Sequence, residues 1–338
     1  RIQEFRCKTC GGRFSQQSFA VTYYMKRPEL FLPVAAWMTS GAPLRRIARA
    51  LPQSWPGLRP CHPSTVPRIA RRIWSQCALA LVEHFRHVPE IQGPVVADHF
   101  ETFVGEQENA LGVLTPVHAV AGYTYFREFA WHRRSTARAR AEPKVAPSPG
   151  EAGRSFRHML DRLTPKVPEG GTLELVTDDH PDYRREVRRR RRGTPIRHRV
   201  YRNPPDRRRG DPSTPETVAR DRAMFPVDVL HKWFRHVGAD HRRESIAFCR
   251  RGEAVLERLS AVVVGRNLIQ RVSERRNDAR TPGRLIGLTS RPWTWGEVLA
   301  RRRWPDRVDM DGTTRRVVER SMRDPRGIAW PRHVRRRS

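Results

Sequence analysis

A mixed α/β fold is predicted by three observations. Two short apolar runs, Gly93-Pro94-Val95-Val96-Ala97-Asp98 and Gly171-Thr172-Leu173-Glu174-Leu175-Val176-Thr177-Asp178, read as buried strands that each end in an acid. Between them lie β-rich stretches over 110–122 and 123–131, which fit a hairpin meander around Gly122. Helical patterns follow around 155–163, from Pro181 into the basic block 188–192, and over 227–275 with a break near Gly238. With a further strand at 195–201, the succession is three strands, helix, strand, helix, strand, helix: a mixed sheet with helices packed on its faces.

The chain has 338 residues, enough for two or three units, and its composition shifts divide it into four zones. Residues 1–20 hold Arg6-Cys7-Lys8-Thr9-Cys10-Gly11-Gly12-Arg13-Phe14. Here Cys7 and Cys10 have the spacing of one knuckle of a zinc ribbon, in which Gly lets backbone amides face the thiolates. A complete tetrahedral site needs a second knuckle. The chain starts at Arg1 inside this motif, so a missing N-terminus is expected, with a partial Zn²⁺ site; the alternative is two ordinary surface thiols. Cys61-His62 is a weaker substitute ligand pair.

Residues 27–90 read as helices broken by Pro and Gly. The stretch 40–51 has a capped, amphipathic pattern carrying Arg45, Arg46 and Arg49, and 62–74 has a polar start and a basic face with Arg68, Arg71 and Arg72. The pair suits a helix-turn-helix whose second helix enters a major groove, although two amphipathic helices of a small bundle would read alike. Residues 91–275 carry the alternating strands and helices. Residues 276–338 are a basic extension with Trp293, Trp295, Trp304 and Trp330.

Lys plus Arg is 66 against 35 for Asp plus Glu, a formal charge of +31. A compact chain so charged repels itself unless a polyanion is near, and phosphate neutralisation releases condensed counterions. Nucleic acid is therefore the expected partner, with Arg188, Arg189 and Arg190 suited to tracking its backbone. Five cysteines make no disulfide framework, and no apolar run is long enough for a membrane span, so a cytoplasmic, nucleoid-associated protein is expected.

In so basic a chain the acids stand out. Asp98 and Asp178 terminate apolar strands, which can place both carboxylates at one edge of the sheet. Asp179 competes with Asp178, since neighbouring strand side chains point oppositely. Glu244, in Asp240-His241-Arg242-Arg243-Glu244-Ser245-Ile246-Ala247-Phe248, can close the group from a later helix, with Asp240 as competitor. Glu253 and Glu257 read as partners for Arg250 and Arg258. Hard divalent cations prefer such oxygen ligands, and a pair of ions suits phosphodiester chemistry.

The segments Asp98-His99-Phe100-Glu101-Thr102-Phe103-Val104-Gly105, Thr177-Asp178-Asp179-His180-Pro181-Asp182-Tyr183 and His241 to Phe248 resemble the three acidic motifs of bacterial DDE insertion-sequence transposases. That resemblance covers roughly residues 1–275 and implies an RNase H-like catalytic core behind a zinc ribbon and a helix-turn-helix. The family's second motif places an aromatic five residues after the Asp, which favours Asp178 through Tyr183. The resemblance implies that Asp98, Asp178 and Glu244 hold two Mg²⁺ (or Mn²⁺) ions. It further implies hydrolysis at the element end, strand transfer into target DNA, double-stranded DNA as partner, and a homodimer or higher assembly on DNA. His180 and His241 are neighbours of the acids that could handle phosphate or protons. The half ribbon and the Arg- and Pro-rich stretch 203–215 depart from the pattern; a truncated, inactive copy would read the same way. The competing readings are a non-catalytic DNA-binding protein or decayed remnant, an RNA-binding protein, and a nuclease on the same fold that cuts without joining.

Overall fold

The computed structural model describes residues 2–133, 150–190, 193–203, 213–241, 249–273, 275 and 278–322. In chain order, a small hairpin of β1 (Glu4–Arg6) and β2 (Arg13–Ser15) precedes α1 (Phe31–Met38), α2 (Leu44–Ser54) and α3 (Thr65–His87). The central sheet takes β3 (Val95–Val104), β4 (Glu106–His118) and β5 (Glu128–Arg133). After α4 (Glu151–Leu163) it gains β6 (Leu173–Asp178), and after α5 (Pro181–Arg189) it gains β7 (Ile196–Tyr201). The long helices α6 (Pro215–Val237) and α7 (Gly252–Leu268) follow, then three short ones, α8 (Pro282–Leu285), α9 (Trp295–Val298) and α10 (Gly312–Glu319).

The expected mixed sheet is present. Its strand order is β5-β4-β3-β6-β7, antiparallel across β3, β4 and β5 and parallel across β3, β6 and β7. Gly105 joins β3 to β4 with φ +78°, a left-handed conformation that glycine adopts without strain.

Alternation along the strands sorts two apolar layers. Val95, Ala97, Leu173 and Leu175 face one side, where Phe156, Met159, Leu160 and Leu163 of α4 and Tyr183 of α5 cover them. Val96, Phe100 and Val176 face the other, under Met224, Val227, Leu230 and Phe234 of α6. This second layer continues without a break into α1, α2, α3 and α7.

Several sequence expectations need correction. β3 does not end at Asp98; it runs six residues further, because Phe100, Thr102, Phe103 and Val104 are all buried and β4 pairs with the strand throughout. Residues 123–127 are buried but not strand, since Tyr123, Tyr125 and Phe126 fill the core under the turn and β5 starts only at Glu128. Helix α6 starts at Pro215, at the end of a stretch read as loop, with Thr214 accepting from the Thr217 amide as N-cap. The helix at 62–74 extends to His87, and from Ile69 to Phe85 it is a core helix packed on α7 rather than a free one. Within the basic extension, Trp293 and Trp295 pack against the core, and the Arg302 guanidinium lies 3.8 Å from the Trp304 ring. Trp330 lies outside the described residues.

The core burial of α3 has a titratable consequence. His84 sits against Trp293 at 5.6 Å between ring centroids, and its Nε2 is buried without a hydrogen-bond partner among the described residues. Burial, then the nearby Arg303 charge, lowers its pKa to about 4 from 6.5; Glu83 opposes this, and His87 and Arg301 add to it. As pH falls the unfolded chain takes the proton first, so this group's stabilisation is complete above 6.5 and is lost between 6.5 and 4. At pH 5 the loss is about 2 kcal/mol. Urea midpoints at pH 7 and pH 5 should therefore diverge more for the native chain than for His84→Gln; equal divergence would contradict a neutral buried His84.

Candidate active site at the end of the parallel strands

Parallel pairing of β3 with β6 matches Val95 to Leu175 and Val96 to Val176. The same offset carried two residues further sets Asp98 level with Asp178. Both acids share the parity of Val96 and Val176, so they lie on the face turned to α6. The height comes from strand register, which the sequence could not reveal, while the acids themselves were singled out. Asp178 is fixed twice: Oδ1 accepts from the His180 amide at 3.1 Å and Oδ2 from Asn203 Nδ2 at 2.9 Å. Asp98 Oδ1 accepts from the His99 amide at 2.7 Å. The side chain of Asp98 keeps 21% of its surface accessible, so small ligands can reach it.

Helix α6 closes over these acids. His231 Nδ1 lies 3.9 Å from Asp98 Oδ2, and its Nε2 is hydrogen-bonded to Thr115 Oγ1 at 3.0 Å, which fixes the ring. Burial, and then Arg235, lower the His231 pKa to about 3, so the ring is neutral. One helical turn before it, Asp228 binds Arg220 Nη1 at 2.5 Å, and Arg220 Nε reaches Asn203 Oδ1 at 3.3 Å. Asp178, Asn203, Arg220 and Asp228 thus form one continuous chain of polar contacts. On the opposite face, His99 bridges Tyr183 Oη at 2.5 Å and Ser155 Oγ at 3.0 Å, and Tyr183 stacks on Phe156. The aromatic five residues after Asp178 therefore anchors α5 to the sheet.

The electrostatics show what the group lacks. Burial raises the Asp98 pKa to about 8, and the Asp178 charge adds to that, with a smaller contribution from Asp228. Burial also raises Asp178. Arg220 is bound to Asp228 and Asn203, so neither strand acid has a cation at hydrogen-bonding distance among the described residues. Two close, half-buried carboxylates without a cation suit hard divalent ions, which take oxygen ligands.

The other predicted residues fall as follows. Glu244 lies outside the described residues, which stop at His241 and resume at Cys249. Among the described residues no group of three or more His, Cys, Asp and Glu is arranged to hold a metal ion. Asp179 is turned towards Arg202, at 3.6 Å. Asp240 does not compete for the site: it accepts from Arg258 at 2.5 Å and Cys249 Sγ at 2.6 Å, and although burial opposes it, His241 and Arg258 hold its carboxyl below the usual range. Arg258 is thereby Asp240's partner, not one reserved for Glu257, and both Glu253 and Glu257 are buried. His241 is buried and bonded to Thr102 at 3.1 Å, four residues along β3 from Asp98, because its ring fills the space beside Phe100. His180 caps α5, accepting from the Asp182 amide.

Cys7 and Cys10 occupy the turn of the β1–β2 hairpin, where the Gly11 amide donates to the Cys7 carbonyl at 2.9 Å and the Cys7 amide to the Gly12 carbonyl at 2.8 Å. Hydrogen bonds from the Cys10 and Thr9 amides lower the Cys7 pKa. Cys61 is half-buried and the His62 ring bonds Ser64. Arg45, Arg46, Arg49, Arg68, Arg71, Arg188 and Arg189 are exposed. Arg72 and Arg190 already have partners within the chain. Arg72 donates to the Tyr23 carbonyl at 2.7 Å, and Arg190 binds Asp161 at 2.5 Å and Thr164 at 2.7 Å. Asp228, Arg220 and His231 were missed because no motif marks them; only the 3.6-residue period of α6 could have placed 224, 227, 228 and 231 on one face.

No family model and no curated protein matches the chain. Among solved structures, a chain of the simian T-cell lymphotropic virus intasome in complex with PP2A regulatory subunit B56 gamma aligns over 75% of this chain and 72% of its own. The two are 13% identical and superpose with a TM-score of 0.31, a loose likeness that assigns neither fold nor activity. No helix among the described residues is long and apolar enough to cross a membrane.

Proposed function

We propose that the chain is a metal-dependent DNA strand-cutting and strand-joining enzyme, a transposase of the DDE kind. The observation that supports this most is the shared height and face of Asp98 and Asp178 on adjacent parallel strands, in a chain of net charge +31. Asp98 and Asp178 would hold Mg²⁺ or Mn²⁺, with Glu244 as the third carboxylate and Asp228 as the described acid whose charge acts on Asp98. When bound, a pair of such ions activates the attacking oxygen and stabilises the leaving one.

The rest falls to the protein's own residues. Burial, and then Arg235, keep His231 neutral beside Asp98 while Thr115 fixes its ring, so it adds no competing positive charge. Asn203 and the His180 amide fix both oxygens of Asp178. Arg220, joined to this chain of contacts, neutralises Asp228 at the rim. The exposed arginines of α2 and α3, with those of α5 that have no acidic partner, would bind duplex DNA, two copies of the chain at paired element ends, and the nucleoid is where such a protein would act. Cys7 and Cys10 would supply half of a Zn²⁺ site.

The test is a labelled element-end duplex incubated with and without Mg²⁺. Cutting that needs Mg²⁺ and disappears in Asp98→Asn, Asp178→Asn and Glu244→Gln is expected. Tight binding without cutting in any divalent metal, unchanged by the substitutions, would instead establish a non-catalytic DNA-binding protein.

A further inference from the structure

Helix α5 leaves the sheet three residues after Asp178 and carries four exposed arginines, Arg184, Arg185, Arg188 and Arg189. With Pro181 they line an open cleft of about 740 Å³. The four are not equivalent. Arg185 is paired with Asp182 at 2.6 Å and with Glu186 at 3.6 Å, and Arg189 with Glu186 at 3.0 Å. Glu186 is itself buried and also held by Arg157 at 2.8 Å from α4. These contacts pin the helix and neutralise its own acids. Arg184 and Arg188 have no acidic partner among the described residues. They stand four residues apart, hence on one face and ~6 Å apart along the axis.

Two exposed guanidiniums held this close, without an acid between them, repel each other unless an anion bridges them. Guanidinium forks bind phosphate oxygens well, and one strand of a duplex presents a phosphate every ~3.4 Å of rise, so the pair spans about two phosphates. The cleft is open and lined from one helix alone, which fits a continuous backbone better than an enclosed small anion. It begins within one turn of Asp178, on the sheet face that α5 covers.

We propose that this cleft is a phosphodiester-backbone site for duplex DNA, in which Arg184 and Arg188 make the phosphate contacts while Arg185 and Arg189 only brace the helix. The inference rests on the DNA reading above and adds to it which arginines of α5 make the contacts. Contacts of this kind fix register and orientation and read no sequence.

The experiment measures duplex binding by the full chain in EDTA, so that no divalent ion contributes, across a salt series. Arg184→Gln/Arg188→Gln is compared with the native chain and with Arg315→Gln, an exposed arginine on α10 that controls for lost charge. Thermal melting of each variant establishes that it is folded. The double variant should lower the magnitude of the log affinity against log salt slope by ~1.8, two phosphates at ~0.9 each, equally for unrelated duplex sequences. Its loss of affinity from about 50 to about 200 mM salt would then be roughly 10-fold smaller than native. Arg315→Gln should leave the slope unchanged. A steep native slope that the double variant does not alter would overturn the cleft assignment alone. A native slope near zero would overturn the DNA reading and the cleft with it.

Discussion

Asp98→Asn and Asp178→Asn are each expected to reduce Mg²⁺-dependent strand cutting by on the order of 10³-fold or more, with duplex binding in EDTA unchanged. Bound metal contributes several kcal/mol of charge stabilisation in the transition state, and each 1.36 kcal/mol is a factor of ten in rate. The two substitutions should be far from additive, because on the proposed reading either one would remove a cation that both acids would hold. The metal-free fold should not suffer. Asn keeps the shape of Asp98 while removing a half-buried charge that burial and the Asp178 charge already disfavour. A thermal melt in EDTA checks this: a midpoint at or above that of the native chain is expected, whereas a marked fall would mean that Asp98 holds the sheet together rather than serving a ligand.

Phe100→Ala is expected to cost about 3–5 kcal/mol of stability, read as a lowered urea midpoint with unchanged slope. Phe100 is fully buried at the centre of the layer between β3 and α6. Its ring centroid lies 5.2 Å from Phe234, 5.3 Å from His231 and 5.6 Å from His241, with the Arg235 guanidinium 5.0 Å away. Because Phe100 and Asp98 share a face two residues apart, the cavity left by Ala also frees the His231 ring beside Asp98. Cutting by the still-folded fraction should therefore fall as well. A cost under about 1 kcal/mol would contradict the packing of α6 on the sheet, since aromatic truncation in a dense core is not tolerated so cheaply.

Much of this scaffold could be read from residue patterns, and the failures have physical causes. Apolar runs flanked by Gly revealed β6 and the start of β3, and Pro181 and Gly238 marked the start of α5 and the end of α6. The expectation that β3 stops at Asp98 followed the apolar run, which ends at that acid. The strand continues because β4 satisfies its backbone and α6 covers it with Phe234 and His231, two residues more than 100 positions away. Arg72 and Arg190 read as ligand-binding residues because a charge run gives no sign of which members already have partners. Tyr23, Asp161 and Thr164 supply those partners from other segments. The candidate site was half visible. Asp98 and Asp178 could be named from strand chemistry, but their common height depends on register, and Asp228, Arg220 and His231 join them only through the docking of α6.

The most direct measurement is the binding of Mn²⁺ to the full chain by calorimetry in the absence of DNA, repeated with Asp98→Asn and Asp178→Asn. Binding by the native chain that weakens at least about 10-fold in each variant is expected for carboxylates that jointly hold a divalent ion. Native binding that both variants retain in full, or no Mn²⁺ binding by the native chain at all, would contradict a metal site at Asp98 and Asp178.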